Sequence, residues 1–269
     1  MNKRLREIAH ETVEIVDRGS YQASVGQVGI GDAVGRAVAG TRLHPPDEPL
    51  PEPLPLDGPP AVEVTNESSL TAARRLGEGT ACLVFASARN PGGGFLNGAQ
   101  AQEETIARAS ALYACLRAAP DFYAHHRSWP ELTYSDRIIY SPGVPVFRDE
   151  EDGLLPEPYP VSFLTAAAPN RAAVARNQPE RAAGIPAILL RRACRVLAVA
   201  ATHGHRRLVL GAWGCGVFGN DPELVATTFA TALADSPWFS HVTFAVLDRR
   251  PGHRTYTAFA DALGELGTR

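Results

Sequence analysis

Hydrophobic and polar positions divide the chain into a short amphipathic region, a proline-rich stretch and a long alternation of apolar segments. Near the N-terminus, apolar residues recur at helical spacing between charged ones: Leu5, Ile8, Ala9, Val13 and Val16. This predicts a helix over residues 4–17. Residues 45–60 then hold eight prolines in sixteen positions, a density that helices and sheets do not tolerate. We therefore expect residues 1–60 to form an N-terminal helical extension with a proline-rich linker; a long loop within one domain is the alternative.

After residue 60, segments typical of strands alternate with segments typical of helices. Short apolar runs that predict buried strands lie at 61–66, 81–87, 137–147, 161–169, 206–214 and 241–248. Helical spacing or capping residues predict helices at 68–79, 102–116, 186–204, 222–235 and 255–266. The alternation predicts a single α/β domain over residues 61–269, with a layered sheet covered by helices on both faces.

Composition excludes several functional classes. The net charge of −3 leaves no basic tail for generic nucleic-acid binding, so we predict no direct DNA binding. No apolar run reaches the roughly 18 residues of a membrane helix, and the N-terminus lacks the apolar core of a signal peptide. Lys3 is the only lysine, which excludes a Walker A loop or a Schiff-base lysine. Four scattered cysteines without a CxxC pair favour a reducing cytoplasm and argue against zinc.

The histidines give no sign of a metal site. The neighbours His125 and His126, and His203 and His205, lack useful metal spacing with a carboxylate or a cysteine. We therefore expect these histidines at the surface, and neither a metal nor a cofactor.

The most informative segment is residues 88–113, directly after the predicted strand at 81–87. Three consecutive glycines at 92–94 let the backbone approach a ligand closely, at the sheet edge where α/β proteins bind ligands. After a gap of seven residues, 95–101, Gln102, Glu103 and Glu104 open a predicted helix. Each feature also has a purely structural interpretation, because glycines form flexible loops and acidic residues complement the dipole in a first helical turn.

A second glycine-rich segment, residues 211–221, follows another apolar strand. Gly214, Gly216 and Gly219 free backbone N–H groups to point at one spot, and the predicted helix from residue 222 adds a positive dipole end. Such a loop suits a diphosphate, although a turn without a phosphate is the alternative. Phe218 lies within it, facing either a ligand or the core.

These segments resemble the poly(ADP-ribose) glycohydrolases, in which a GGG triplet is followed after a short gap by QEE. Here the gap is the seven residues 95–101, and the flanking sequences ASARNPGGGFL and QAQEET resemble the bacterial-type branch. The resemblance extends over roughly residues 61–250. It implies a macrodomain-like three-layer α/β/α fold with a mixed, mostly parallel central sheet.

The resemblance also implies a reaction, the hydrolysis of ribose–ribose O-glycosidic bonds through an oxocarbenium-like state that needs a protonated leaving group. Glu104 would be the general acid and then the base, Glu103 would hold ribose hydroxyls, Gln102 would hold the loop, and Phe218 would order the ribose. Adenine would lie near the end of the strand at 61–66, where Asn66 can equally cap the next helix. The implied substrate-binding residues are Gln102, Asn90, Gly92, Gly93, Gly94, Phe95, Gly214, Cys215, Gly216, Val217, Phe218, Asn220, Asn66 and Glu67.

The protonation of the candidate acid stays open in the sequence. A helix N-terminus lowers the pKa of a carboxyl group, whereas burial beside a second carboxylate and a substrate diphosphate raises it. Adjacent helical residues diverge by roughly 100°, which favours a single acid/base over a facing acid–nucleophile pair.

Three rival functions remain. A non-catalytic ADP-ribose-binding macrodomain would share the loops without needing QEE, and a mono(ADP-ribosyl) hydrolase would have a similar site. The third rival, a dinucleotide-dependent oxidoreductase, has little support, because the GxGxxG motif is absent after the first strand of the main domain. The expected partners are poly(ADP-ribose), ADP-ribose and ADP-ribosylated proteins, bound by a cytoplasmic monomer without membrane association.

Overall fold

The computed structural model describes residues 2–264. Its first elements are α1 (Lys3–Arg18), β1 (Ser20–Ala23), β2 (Gly26–Gly29), α2 (Gly31–Gly40), β3 (Arg42–His44), β4 (Ala61–Thr65), α3 (Ser69–Leu76), β5 (Thr80–Phe85), α4 (Gln102–Ala109), α5 (Leu112–Arg117) and α6 (Pro120–Ser128). They are followed by β6 (Ile138–Arg148), β7 (Leu154–Ala166), α7 (Arg171–Asn177), α8 (Ile185–Thr202), β8 (Arg207–Leu210), α9 (Pro222–Ala234), β9 (His241–Ala245) and α10 (Arg254–Leu263).

Seven strands form the central sheet, in the order β3-β6-β7-β5-β8-β9-β4. The pairs from β7 to β4 are parallel, whereas β3 with β6 and β6 with β7 are antiparallel. Residues of α7 to α10 pack on one face and residues of α1 to α6 on the other. The predicted three-layer α/β/α fold with a mixed, mostly parallel sheet is confirmed.

Most predicted elements lie within a few residues of their observed positions, but the helix expected at 102–116 is two helices. The break is at Ser110, which has extended backbone angles and forms an isolated bridge with Val146. Its hydroxyl donates to Ile106 O and accepts from Leu112 N, so the side chain satisfies backbone groups that the break leaves free. The last residues of the helix predicted at 255–266 lie outside the described part of the chain.

Residues 2–60 share the core of the rest of the protein. The sequence analysis misses β1, β2, α2 and β3, because the strands are only three or four residues long and α2 contains three glycines. Strand β3 joins the main sheet by pairing with β6, and buried side chains of α1 and α2, such as Ile15 and Val34, join the same core as α3 to α6. Residues 45–60 contain no helix or strand, but Thr202 and Arg206 donate to their carbonyls. The division at residue 60 stays a prediction.

Two histidines expected at the surface are buried, which corrects the sequence-based expectation. His126 Nε2 accepts from Ser135 N at 3.2 Å, and His205 bridges Tyr140 Oη and Gly79 O at 2.9 Å each. Burial, with the charge of neighbouring groups, lowers the pKa of His126 to about 4. Neutral rings with both nitrogens hydrogen-bonded are compatible with the interior.

A fully buried arginine ties the end of β7 to the segment that precedes β6. Arg192 on α8 donates to Asp136 Oδ1 at 2.8 Å and to Ala167 O at 2.6 Å. Arg191 also contacts Asp136. Because the guanidinium of Arg192 is wholly shielded from water, its charge depends on this carboxylate.

We predict that Asp136→Ala lowers the free energy of unfolding by about 3–5 kcal/mol, because it leaves the Arg192 charge buried without a counter-ion. Urea unfolding measures the change. Asp17→Ala, at an exposed position of α1, is the control and should stay within about 0.5 kcal/mol of the wild type. Equal stability of the two variants would contradict a stabilising role for the pair.

Candidate active site

The first turn of α4 is bonded to the loop that follows β5. Glu103 Oε2 accepts from Ser87 N at 2.6 Å, and Glu104 Oε1 accepts from Gly94 N at 3.0 Å. The loop leaves the sheet, passes the glycine triplet and returns to the helix N-terminus, where the two carboxylates bind its backbone. The same two side chains that carry the candidate chemistry therefore shape the loop.

Gln102 makes the third of these contacts and also clamps strand β5. Its Oε1 accepts from Phe85 N at 2.9 Å, while its Nε2 donates to Leu83 O at 2.7 Å and to Ser69 Oγ at 3.1 Å. The amide therefore satisfies both a donor and an acceptor of the strand end and links it to α3. These contacts hold the strand end rather than the loop, and the role of Gln102 in holding the loop stays a prediction.

The glycine triplet is required by space as well as by conformation. Gly92 and Gly93 have φ of +68° and +59°, values that favour glycine. A Cβ at Gly93 would overlap Glu104 Oε1 and lie 3.1 Å from Glu103 Oε2. Glu103 and Glu104 are adjacent on the helix, so their side chains leave it in different directions. Both carboxylates nevertheless reach Gly93.

The carboxyl group of Glu103 is almost wholly removed from water. The side chain is 3% exposed, and burial raises its pKa well above the usual value, with the charge of Glu104 adding and backbone N–H groups of Ser87 and Gly92 opposing. Its Oε1 is buried and has no hydrogen-bond partner among residues 2–264. A buried carboxyl oxygen without a partner is suited to a substrate hydroxyl.

The second glycine-rich loop, residues 211–221, connects β8 to α9. Gly214 has φ of +72°, and Asn220 N donates to Gly214 O at 3.0 Å, which closes the loop on itself. The side-chain amide of Asn220 donates to Pro169 O at 2.9 Å, so it anchors the loop. Val217 is 89% exposed, whereas Phe218 is half-buried beside Tyr134.

The candidate adenine-binding residues lie at the end of β4. The Asn66 side chain accepts from Asp248 N at 2.8 Å and donates to Asp248 O at 3.3 Å, which joins the ends of β4 and β9. Glu67 accepts from Arg75 at 2.6 Å and lines a cavity. Of the two, Glu67 faces the space in which a ligand fits, and Asn66 holds the edge of that space.

This cavity has a volume of about 850 Å³ and runs along the carboxyl ends of β4, β5, β8 and β9. Its lining includes Glu67, Phe85, Gln102, Cys215, Gly216 and Leu247. The size is that of a nucleotide-sized ligand site. The glycine triplet, Glu103, Glu104 and Phe218 are not among its lining residues, although Gln102 directly precedes the two glutamates.

The remaining predicted site residues have different surroundings. Asn90 is exposed, and its carbonyl accepts from Gly93 N at 3.0 Å within the triplet loop. Phe95 is 1% exposed and packs on Tyr113 with ring centroids 4.8 Å apart, so its side chain supports the loop from below. Sequence reasoning missed Ser87 and Asp248, whose contributions come from the backbone and leave no side-chain signal.

Within residues 2–264, no group of three or more histidine, cysteine or carboxylate side chains could hold a metal ion. Over the same part of the chain, no helix combines the length and apolar character that crossing a membrane requires.

Known proteins are similar to this chain in sequence and in fold. The family model for the microbial-type PARG catalytic domain matches residues 9–149. The crystal structure of poly(ADP-ribose) glycohydrolase (PARG) from Thermomonospora curvata is 53% identical, covers 97% of this chain and 100% of its own, and has a TM-score of 0.90. The same enzyme bound to the inhibitor ADP-HPD is 53% identical, with coverages of 97% and 99% and a TM-score of 0.87.

A more distant structure is the PARG from Deinococcus radiodurans in complex with ADP-ribose, which is 44% identical, covers 87% of this chain and 98% of its own, and has a TM-score of 0.80. No curated protein matches the sequence. The family model spans more than half of the chain, and the identity extends over nearly all of it. The chain therefore belongs to the family of microbial-type PARG catalytic domains.

Proposed function

We propose that this protein hydrolyses the ribose–ribose O-glycosidic bonds of poly(ADP-ribose) and releases ADP-ribose. The observation that carries the proposal is the convergence of Glu103 and Glu104 on Gly93, at the mouth of a loop that only glycine can form. An ADP-ribose reader needs the cavity and the loops but has no use for two carboxylates brought together beside a glycine triplet.

The substrate lies along the carboxyl edge of the sheet. Backbone N–H groups of residues 216–218 in the second glycine-rich loop attract the diphosphate. The adenine occupies the end of the cavity near Glu67, and the terminal ribose reaches the triplet loop. Phe218 packs against that ribose and orders it for cleavage.

Glu103 binds the substrate rather than donating the catalytic proton. Its Oε2 is bound to Ser87 N, and its buried Oε1 is available for a hydrogen bond with a ribose hydroxyl. Such a bond would satisfy an oxygen that is otherwise buried without a partner, which favours one orientation of the sugar.

Glu104 is the general acid and then the general base. It donates a proton to the glycosidic oxygen as the bond from this oxygen to the ribose anomeric carbon breaks, and the resulting carboxylate removes a proton from the water that attacks this carbon. The bond from Gly94 N fixes Oε1, so the other oxygen is the one available for proton transfer.

The proposal extends to partners and compartment. The polymer is carried by ADP-ribosylated proteins. The protein acts in the cytoplasm as a monomer and does not bind DNA directly. The free state of all four cysteines and the net charge of −3 support the compartment and the absence of DNA binding.

We predict that Glu104→Gln lowers the rate of ADP-ribose release from labelled poly(ADP-ribose) by about 10²–10⁴-fold, because the amide cannot transfer the proton. Affinity for ADP-ribose should persist, since the amide oxygen can still accept from Gly94 N. Calorimetry with ADP-ribose measures the binding.

Glu14→Gln, at an exposed position of α1, is the matched control and should release ADP-ribose at the wild-type rate. Binding without release by the wild type would indicate a reader, or a mono(ADP-ribosyl) hydrolase if a mono-ADP-ribosylated protein is cleaved instead. Equal release by the wild type and Glu104→Gln would remove Glu104 from the mechanism.

The raised pKa of Glu103 predicts a pH-dependent stability. Below its ordinary pKa of about 4.5, both folded and unfolded states hold the proton; as pH rises, the unfolded state ionises freely, while burial opposes ionisation in the folded state. The wild type therefore loses stability with rising pH up to the folded-state pKa, and Glu103→Gln does not.

The melting temperature of Glu103→Gln minus that of the wild type should accordingly increase between about pH 5 and pH 8. The exposed Glu14→Gln variant should show a difference that does not change with pH. A constant difference for Glu103→Gln as well would mean that Glu103 is ionised in the folded protein.

A further inference from the structure

Tyr134 has a backbone conformation that tyrosine rarely adopts. It lies in the segment between α6 and β6 with φ of +59°, in the left-handed region that favours glycine. Such residues cost free energy and persist only where the surrounding structure holds them, which is most frequent near functional sites. No part of the reaction proposed above uses this residue.

The residues on both sides of Tyr134 are firmly held. On the preceding side, Leu132 N donates to Gln178 Oε1 at 2.9 Å, and Leu132 O accepts from Asn170 N at 3.0 Å. On the following side, Ser135 N donates to His126 Nε2 at 3.2 Å. Asp136 is bound by Arg191 and Arg192, as described above. The fold therefore imposes the conformation of Tyr134 from both directions.

The aromatic ring of Tyr134 is directed at the second glycine-rich loop. Its centroid lies 5.9 Å from that of Phe218, at an interplanar angle of 45°, and 5.8 Å from that of His126 on α6. The half-buried ring of Tyr134 is thus placed between the buried ring of His126 on α6 and Phe218.

The backbone beside Phe218 has its own anchors, and the ring packs against the hydrophobic core on one side and against the ring of Tyr134. Phe218 O accepts from Ala172 N at 2.9 Å, and Gly219 O accepts from Arg171 at 3.0 Å, so α7 holds the main chain of the loop. The neighbouring Val217 is in solvent, and glycines precede and follow the pair, so the loop itself offers Phe218 little lateral support.

The same aromatic packing continues toward the catalytic helix. His126 contacts Phe122 at a centroid distance of 4.5 Å, and Phe122 contacts Tyr123 at 5.0 Å. Burial, and next the charge of Glu103, raises the pKa of Tyr123 well above its usual value, which places Tyr123 within electrostatic reach of Glu103. The row of rings therefore runs from Phe218 in the second glycine-rich loop to Tyr123 on α6.

We propose that Tyr134 is a positioning residue for the hydrolysis. Its strained backbone directs the ring at Phe218 and so fixes the position in which the Phe218 ring contacts the ribose. This inference rests on the proposed function. Tyr134 need not touch the substrate, because its effect is transmitted through Phe218.

The test replaces the ring while relieving the backbone strain. Tyr134→Asn introduces the residue that best tolerates positive φ after glycine, so relieved backbone strain offsets part of the lost ring packing and the variant should stay folded at the assay temperature. The kcat for ADP-ribose release should decrease about tenfold, because small displacements of a positioned group slow the reaction, while KM and the Kd for ADP-ribose stay within about twofold. Tyr134→Phe keeps the ring and should restore wild-type kcat.

A double-substitution cycle separates this role from a general effect on folding. In a Phe218→Ala background, Tyr134→Asn should cause no further loss of kcat, because the group it positions is gone. A tenfold further loss in that background, or wild-type kcat for Tyr134→Asn alone, would overturn the proposal. Tyr134→Gly provides the same comparison if the asparagine variant does not fold.

Failure of the Tyr134 proposal can be distinguished from failure of the proposed function. If the wild type releases no ADP-ribose, the glycohydrolase assignment fails before Tyr134 is tested. If the wild type releases ADP-ribose and Glu104→Gln does not, the assignment stands, and the behaviour of Tyr134→Asn alone decides whether Tyr134 positions Phe218.

Discussion

The structure around the site depends on backbone N–H groups of strand β5 and of the loop that follows it. Donors of this kind must be satisfied, and three consecutive side chains at the start of α4 accept from them. Gln102 accepts from Phe85, Glu103 from Ser87 and Glu104 from Gly94. The motif that carries the candidate chemistry is therefore also the framework of the strand end and the loop.

The same contacts bear on the pKa of Glu103. A helix N-terminus and accepted N–H bonds lower the pKa of a carboxyl group, whereas exclusion of water raises it. In Glu103 burial is the largest of these effects, and the nearby carboxylate of Glu104 acts in the same direction. The loop that shapes the site thus also shields Glu103 from water and raises its pKa.

The parts of the fold and site that can be predicted from the sequence are those with a pattern in neighbouring residues. Apolar runs locate most strands of the sheet, and the glycine triplet with Gln102, Glu103 and Glu104 locates the loop and helix. Strand β3 could not be predicted, because three residues carry no periodicity and its place is set by pairing with β6. The amide of Asn66 is likewise occupied by Asp248, a partner 182 positions away that no local pattern reveals.

The end of β7 explains why both loops can be in place before a ligand binds. Ala166 O accepts from Ala86 N, which leads into the triplet loop, and from Trp213 Nε1, which lies in the second loop. Pro169 O accepts from the Asn220 amide, which closes that second loop. Since protein groups supply these bonds, a ligand does not have to order the loops, and less of its binding free energy is lost on entry. That free energy remains available to orient the ribose beside the two glutamates, where orientation lowers the barrier.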